Sequence, residues 1–196
     1  TREAERAERA VDVVRARLAH RIFQNACVDE RRFCIPDFRG GVAAELYGGE
    51  APGFERRMRV YQREAPPFAA SACERALKRA RVSADEITHL VVVTCTGTFT
   101  PGPDVELTRH LRLRSEVERT IVGFMGCSGA FHGLRVARRA AAEPGARVLL
   151  VCVELCPLHR RNEPDTGALV AQSLFADGAA ALGLAGDARA TLLAAG

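Results

Sequence analysis

Thr120-Ile-Val-Gly-Phe-Met-Gly-Cys127-Ser-Gly-Ala130 carries more structural information than any other run of this chain. Thr120 to Gly123 has the β-branched character of a short strand, and a helical pattern starts at Cys127 and continues to about Ala142. Ala130, Leu134 and Ala137 recur along one side of that helix. A strand, a tight turn of small residues, a cysteine and a helix together describe a nucleophile elbow. The glycines allow the sharp turn. The thiol then falls at a helix N-terminus, where unpaired amides and the positive end of the dipole favour a thiolate. The same amides suit the oxyanion formed when a carbonyl carbon is attacked. A buried structural cysteine at a strand–helix junction is the alternative.

Outward from the elbow, strands and helices alternate. Leu90 to Thr94 is a β-branched run that predicts a buried strand, Gly97 to Pro103 a loop, and Asp104 to Leu111 a helix. Arg147 to Val153 is the strongest strand signal, set off from the preceding helix by Glu143-Pro-Gly. Ala179 to Leu184 and Ala190 to Leu193 predict two further strands, paired with each other. Upstream, residues 2–20 form an amphipathic helix with Ala10, Val11, Val14 and Leu18 on one side, and residues 31–52 are irregular. Pro66 and Pro67 are expected to open a helix running to Arg81, with Phe68, Ala72 and Leu77 facing the core. Ser83-Ala-Asp-Glu has the form of a capping box. The alternation predicts an α/β fold whose sheet is largely parallel and covered on both faces.

Composition narrows the function classes. The chain has 196 residues, 47% hydrophobic and 27% charged, as in a water-soluble globular protein. It contains no apolar run long enough to span a membrane. The net charge of +4 comes mostly from arginines mixed with acids in helical runs such as Arg2 to Arg17, which predicts solvated faces. With 6% aromatics and no tryptophan, a nucleic-acid surface is not expected, whereas a small anionic ligand is compatible. The seven cysteines, at 27, 34, 73, 95, 127, 152 and 156, show no zinc-ligand spacing. No metal is therefore expected, and the chain reads as a reduced cytoplasmic protein.

Three segments together resemble the type III polyketide synthases, the chalcone- and stilbene-synthase-like enzymes. Gly126-Cys-Ser-Gly-Ala130, with Gly133-Leu-Arg-Val-Ala137 and the strand from Ala146 to Cys156, is similar to the region around that family's nucleophile. Ile87 to Gly97, followed by Pro101-Gly-Pro-Asp104, resembles its strand and cavity loop. Ser173-Leu-Phe-Ala-Asp-Gly-Ala-Ala180 resembles its Leu-Phe-x-Asp-Gly-Ala-Ala signature. Residues Pro157 to Asn162 look more like bacterial members than plant ones.

The resemblance implies a thiolase-like fold, with residues 1–196 forming one βαβαβ half of a layered αβαβα arrangement. It implies that the half holding the family's catalytic His and Asn is not in this sequence. By the same resemblance, Cys127 accepts a starter acyl group from coenzyme A and carries the growing chain as a thioester. Phe175 shapes the site where malonyl-CoA is decarboxylated. Cys95, Thr96, Cys156 and His159 line the acyl cavity, and Thr100 reaches toward a homodimer partner. Asn25 and Asp29 fall where family members place cations for the coenzyme A phosphates, which leaves Arg21 or Arg32 as substitutes. No permanently bound cofactor is implied. The substrates are coenzyme A thioesters, and neither a membrane nor a nucleic acid is a partner. Two other functions fit the same residues: an initiating β-ketoacyl-carrier-protein synthase III, and a non-catalytic acyl-binding half that pairs with a second chain.

Overall fold

A computed structural model of the chain describes residues 2–38, 43–160 and 165–185. Four strands form one sheet: β1 (His89–Val93), β2 (Glu118–Val122), β3 (Arg147–Leu155) and β4 (Asp177–Ala185). Their spatial order is β2-β1-β3-β4. β1 runs parallel to both β2 and β3, while β4 lies antiparallel to β3, from Arg147 opposite Ala185 to Leu155 opposite Asp177. The parallel neighbours are joined by helical crossovers: α3 (Pro103–Leu111) between β1 and β2, and α4 (Gly129–Ala140) between β2 and β3. The α/β expectation and the largely parallel sheet are both met.

Most of β1 and most of β3 are apolar because helices cover both faces of the middle of the sheet. Leu90, Val92, Leu149, Val151, Val153 and Leu155 belong to one core, under the long helix α2 (Phe54–Ala80). Val91, Val93, Val148 and Leu150 belong to the other, under α4. Successive side chains of β1 therefore alternate between two buried layers, which is the period of a strand used on both sides. At Gly133 of α4, an added Cβ would lie 2.4 Å from Val93 Cγ2 and 3.0 Å from Leu150 Cδ1. A hydrogen at that position is what lets α4 press onto β1 and β3.

Three elements differ from expectation. Pro66 and Pro67 do not open a helix; they lie inside α2, which already begins at Phe54. An interior proline removes a helical hydrogen bond. Here the buried stripe of Met58, Tyr61, Ala65, Ala69, Cys73 and Ala76 runs across the prolines, and its packing holds the helix together. The amphipathic first helix, α1, extends to Asn25. A helix absent from the sequence expectation, α5 (Thr166–Leu174), is capped by Asp165, whose carboxylate accepts from Ala168 N at 2.9 Å. Strand β4 covers the expected Ala179–Leu184 and pairs with β3, whereas residues 190–193 lie outside the described residues. The capping box at Ser83 is present, with Ser83 N donating to Glu86 at 2.8 Å.

Candidate active site

The elbow forms, with one shift from expectation. Cys127 lies in a short 3-10 turn, Gly126–Ser128, and α4 starts only at Gly129. Two residues of the turn have left-handed backbone: Gly126 at φ 55° and Phe124 at φ 59°. Glycine adopts this region without steric cost, but for phenylalanine it is strained. Ser128 Oγ closes the turn by donating to the Met125 carbonyl at 2.8 Å. The thiol of Cys127 is exposed, and it stands beside the first-turn amides of α4, which have no acceptors within the helix.

The floor beside the elbow is tied together by Glu154, near the end of β3. Its carboxylate accepts from Cys95 N at 2.9 and 3.0 Å, from Thr96 N at 3.0 Å and from Thr96 Oγ1 at 2.6 Å. Thr96 Oγ1 in turn accepts from Leu155 N at 2.8 Å. These bonds clamp the loop after β1 onto β3. His159 adds a strut: Nε2–H donates to the Thr96 carbonyl at 2.6 Å, and Nδ1 accepts from Arg57 at 3.2 Å. Both ring nitrogens are thus occupied by protein groups. Below the loop, Tyr61, fully buried, shares a 2.6 Å hydrogen bond with Thr94.

A cavity of about 900 Å³ opens next to this floor. Thr96, Cys156, His159 and Phe175 line it, together with Phe23, Phe33 and Phe38. Phe175, half exposed, stands at the C-terminal end of α5. The cations at the cavity are Arg31 and Arg160. Arg31 donates to the Ser173 carbonyl through Nε at 2.8 Å and again through a terminal nitrogen, and it stacks on Phe23 at 4.9 Å. Arg160 stacks on Phe38 at 5.2 Å.

Burial keeps several thiols protonated. The Cys156 thiol is pushed up to about 11, first by burial and then by the nearby Glu154, Asp177 and Cys127. Cys127 itself does not line the cavity, but it follows β2 as Cys156 follows β3, so both lie at the C-terminal end of the parallel strands. Cys152 is likewise raised to about 11 by burial and Glu154. Burial also raises Asp177, against the opposing hydrogen bond from Cys34 N at 2.7 Å.

Of the residues singled out in the sequence, Thr96, Cys156, His159 and Phe175 are brought to one cavity. Cys95 is held by Glu154 in the adjoining loop, and Cys127 lies on the elbow, neither of them in the cavity lining. Thr100 is exposed on the loop before α3 and does not line the cavity. Arg21 and Arg32 are exposed outside the cavity lining, Arg32 pairing with Glu30 at 3.2 Å. Sequence reasoning missed Glu154 as the clamp and Arg31 as the cavity cation. Glu154 did carry a signal, being an acid within an otherwise apolar strand, whereas nothing local distinguished Arg31 from Arg32.

An α/β sheet carrying an exposed cysteine on an elbow, with an aromatic cavity at the same end of its strands, agrees with the fold of the type III polyketide synthases. The model of the chalcone and stilbene synthases' N-terminal domain matches residues 14–188, and the chain belongs to that family, the type III polyketide synthases. It is 33% identical over 163 residues to the α-pyrone synthesis polyketide synthase-like Pks18 of Mycobacterium tuberculosis, covering 83% of this chain and 41% of that one. The C-terminal type III polyketide synthase domain of Steely1, a type I/III hybrid from Dictyostelium, superimposes with a TM-score of 0.73 at 31% identity, over 90% of this chain and 48% of that one. CsyB complexed with CoA-SH gives 0.61 at 37% identity, over 66% of this chain and 37% of that one. The chain thus spans less than half the length of these relatives.

Proposed function

We propose that Cys127 accepts an acyl group from a coenzyme A thioester and carries it through decarboxylative extension with malonyl-CoA. The observation that carries the proposal is an exposed cysteine on a strained elbow at the same end of the sheet as the cavity that Phe175 and Cys156 line. In loading, the Cys127 sulfur bonds to the thioester carbonyl carbon and the coenzyme A sulfur leaves. In extension, malonyl-CoA loses carbon dioxide, its α-carbon bonds to the acyl carbonyl carbon, the Cys127 sulfur leaves as thiolate, and the product is a β-ketoacyl-CoA thioester. The oxygen of the thioester enolate needs donors during decarboxylation; on this proposal the family's His and Asn supply them from outside residues 1–196. Coenzyme A as the carrier is supported by CsyB, a relative solved with CoA-SH. The exposed Arg32 has only a surface pair with Glu30, which is worth little. It and Arg21, both exposed outside the cavity lining, are proposed to meet the coenzyme A phosphates.

The proposal includes a homodimer. Ile121, Phe124, Met125, Phe131 and Leu134 are exposed along β2 and α4, and β2 is an edge of the sheet. A second copy covering this face, with Thr100 reaching toward it, would remove that apolar surface from water. The decisive test is the intact mass of the whole native polypeptide after incubation with a panel of acyl-CoA starters. An acyl adduct mapping to Cys127 is expected, and Cys127→Ala should abolish it and lower product formation by at least ~10³-fold while the fold is kept. Adducts that persist in Cys127→Ala would overturn the proposal.

A further inference from the structure

At the opposite end of the strands from Cys127, three side chains from three elements converge. His89 begins β1, Glu118 begins β2, and Glu143 follows α4. One ligand atom from each lies within 4.8 Å of the others. His89 is 9% exposed, and its Nε2 is buried without a hydrogen-bond partner. That nitrogen stands 3.6 Å from a carboxylate oxygen of Glu118 and 3.6 Å from one of Glu143. The separation exceeds a hydrogen bond. It is close to the ~3.4 Å between two ligands on one tetrahedral ion with bonds of about 2.0–2.1 Å.

The other ring nitrogen indicates the protonation pattern. Thr88 Oγ1 donates to the Arg147 carbonyl at 3.1 Å and accepts from Arg147 N at 2.9 Å. Its 2.8 Å contact with His89 Nδ1 must then be accepted from Nδ1–H. The hydroxyl is saturated, and Nε2 faces two carboxylates with no hydrogen-bond partner of its own. Among the described residues no Lys or Arg pairs with either Glu118 or Glu143. Two carboxylates set against a buried, unpartnered imidazole nitrogen call for a positive charge between them. An imidazole oriented by a hydrogen bond on its far nitrogen is also the usual arrangement of a metal-ligating histidine.

We propose that His89, Glu118 and Glu143 form a binding site for a divalent first-row transition ion such as zinc, with solvent completing the coordination. Imidazole with two carboxylates matches the ligand chemistry of such ions. The Glu118 and Glu143 side chains are 74% and 62% exposed, which gives the ion a path in from water. Bound there, it staples the starts of β1 and β2 to the turn after α4. Its place is structural and lies away from the thioester chemistry.

Cobalt(II) titration of the whole native polypeptide, followed by visible absorption and competed with zinc, tests the site. The seven free cysteines make the spectrum informative, because thiolate ligands add a strong near-ultraviolet charge-transfer band. One equivalent of cobalt without that band is expected, displaced by zinc. Glu118→Gln and Glu143→Gln should each weaken binding by at least ~10-fold, and zinc should raise the Tm of the unsubstituted protein but not of these variants. Both substitutions fall on exposed side chains, so the fold survives them. The proposal is overturned by absence of binding, by binding that both variants retain, or by a thiolate-dominated spectrum. It is equally overturned if His89 proves to be doubly protonated and ion-paired with no metal bound.

Discussion

The middle of the sheet and its β2 edge are built to different ends. Around β1 and β3, both faces are covered and almost every side chain is buried, with Leu90, Val92, Leu149 and Val151 essentially inaccessible. Around β2 and the start of α4, Phe124 is 90% exposed and Phe131 71%. The first region holds the half-fold together by itself. The second leaves apolar surface and a strained turn next to the cysteine, in the manner of a face meant to be covered. The buried middle positions the site, and on the homodimer proposal the uncovered edge is where a second copy would meet it.

Thiol reactivity gives the widest separation between the two regions. At pH 8, a thiol with the Cys156 value of about 11 has only ~10⁻³ of its population ionised. Iodoacetamide should label the exposed Cys27 and Cys127 first, and Cys152 and Cys156 orders of magnitude more slowly, as read by peptide mass mapping over time. Equal labelling of Cys156 and Cys127 would erase the distinction.

Next in size is the clamp. Glu154→Ala removes the acceptor for two backbone amides and a hydroxyl of the loop that shapes the cavity. Hydrogen bonds to a charged group contribute about 1.5–3 kcal/mol, so a loss of about 3 kcal/mol is expected in denaturant melts, with a changed product pattern. Gly133→Ala tests the α4–β1 seam. Its Cβ meets a short branched side chain fixed on a strand, so overpacking should cost about 1–3 kcal/mol. The smallest effect belongs to the edge. Phe131→Ser should change monomer stability by no more than about 0.5 kcal/mol, yet weaken self-association in sedimentation experiments. A large stability loss from Phe131→Ser would show that this face supports the half-fold after all.

The legible parts of the chain were those with a local signature. The apolar runs at Leu90 and Arg147 announced strands covered on both sides, and Gly126-Cys127-Ser128 announced the turn. The prolines of α2 misled because a local rule disfavours them in helices, while a buried stripe crossing them decided otherwise. The helix α5 had little amphipathic pattern to reveal it. Glu154 was visible as an acid in an apolar strand, but its role depends on Cys95 and Thr96 arriving from another strand's loop. The group of His89, Glu118 and Glu143 leaves no spacing to find, since each residue comes from a different element.

By itself the sequence determined the alternation of strand and helix, the elbow around Cys127 and membership of a family of condensing enzymes. Hydrophobic period and small-residue turns act within a few residues, so they can be read along the chain. Only the tertiary structure decided which residues share a cavity, that Arg31 rather than Arg32 lines it, and that an imidazole faces two carboxylates. Those outcomes depend on strand order and helix placement, which bring together residues far apart in sequence.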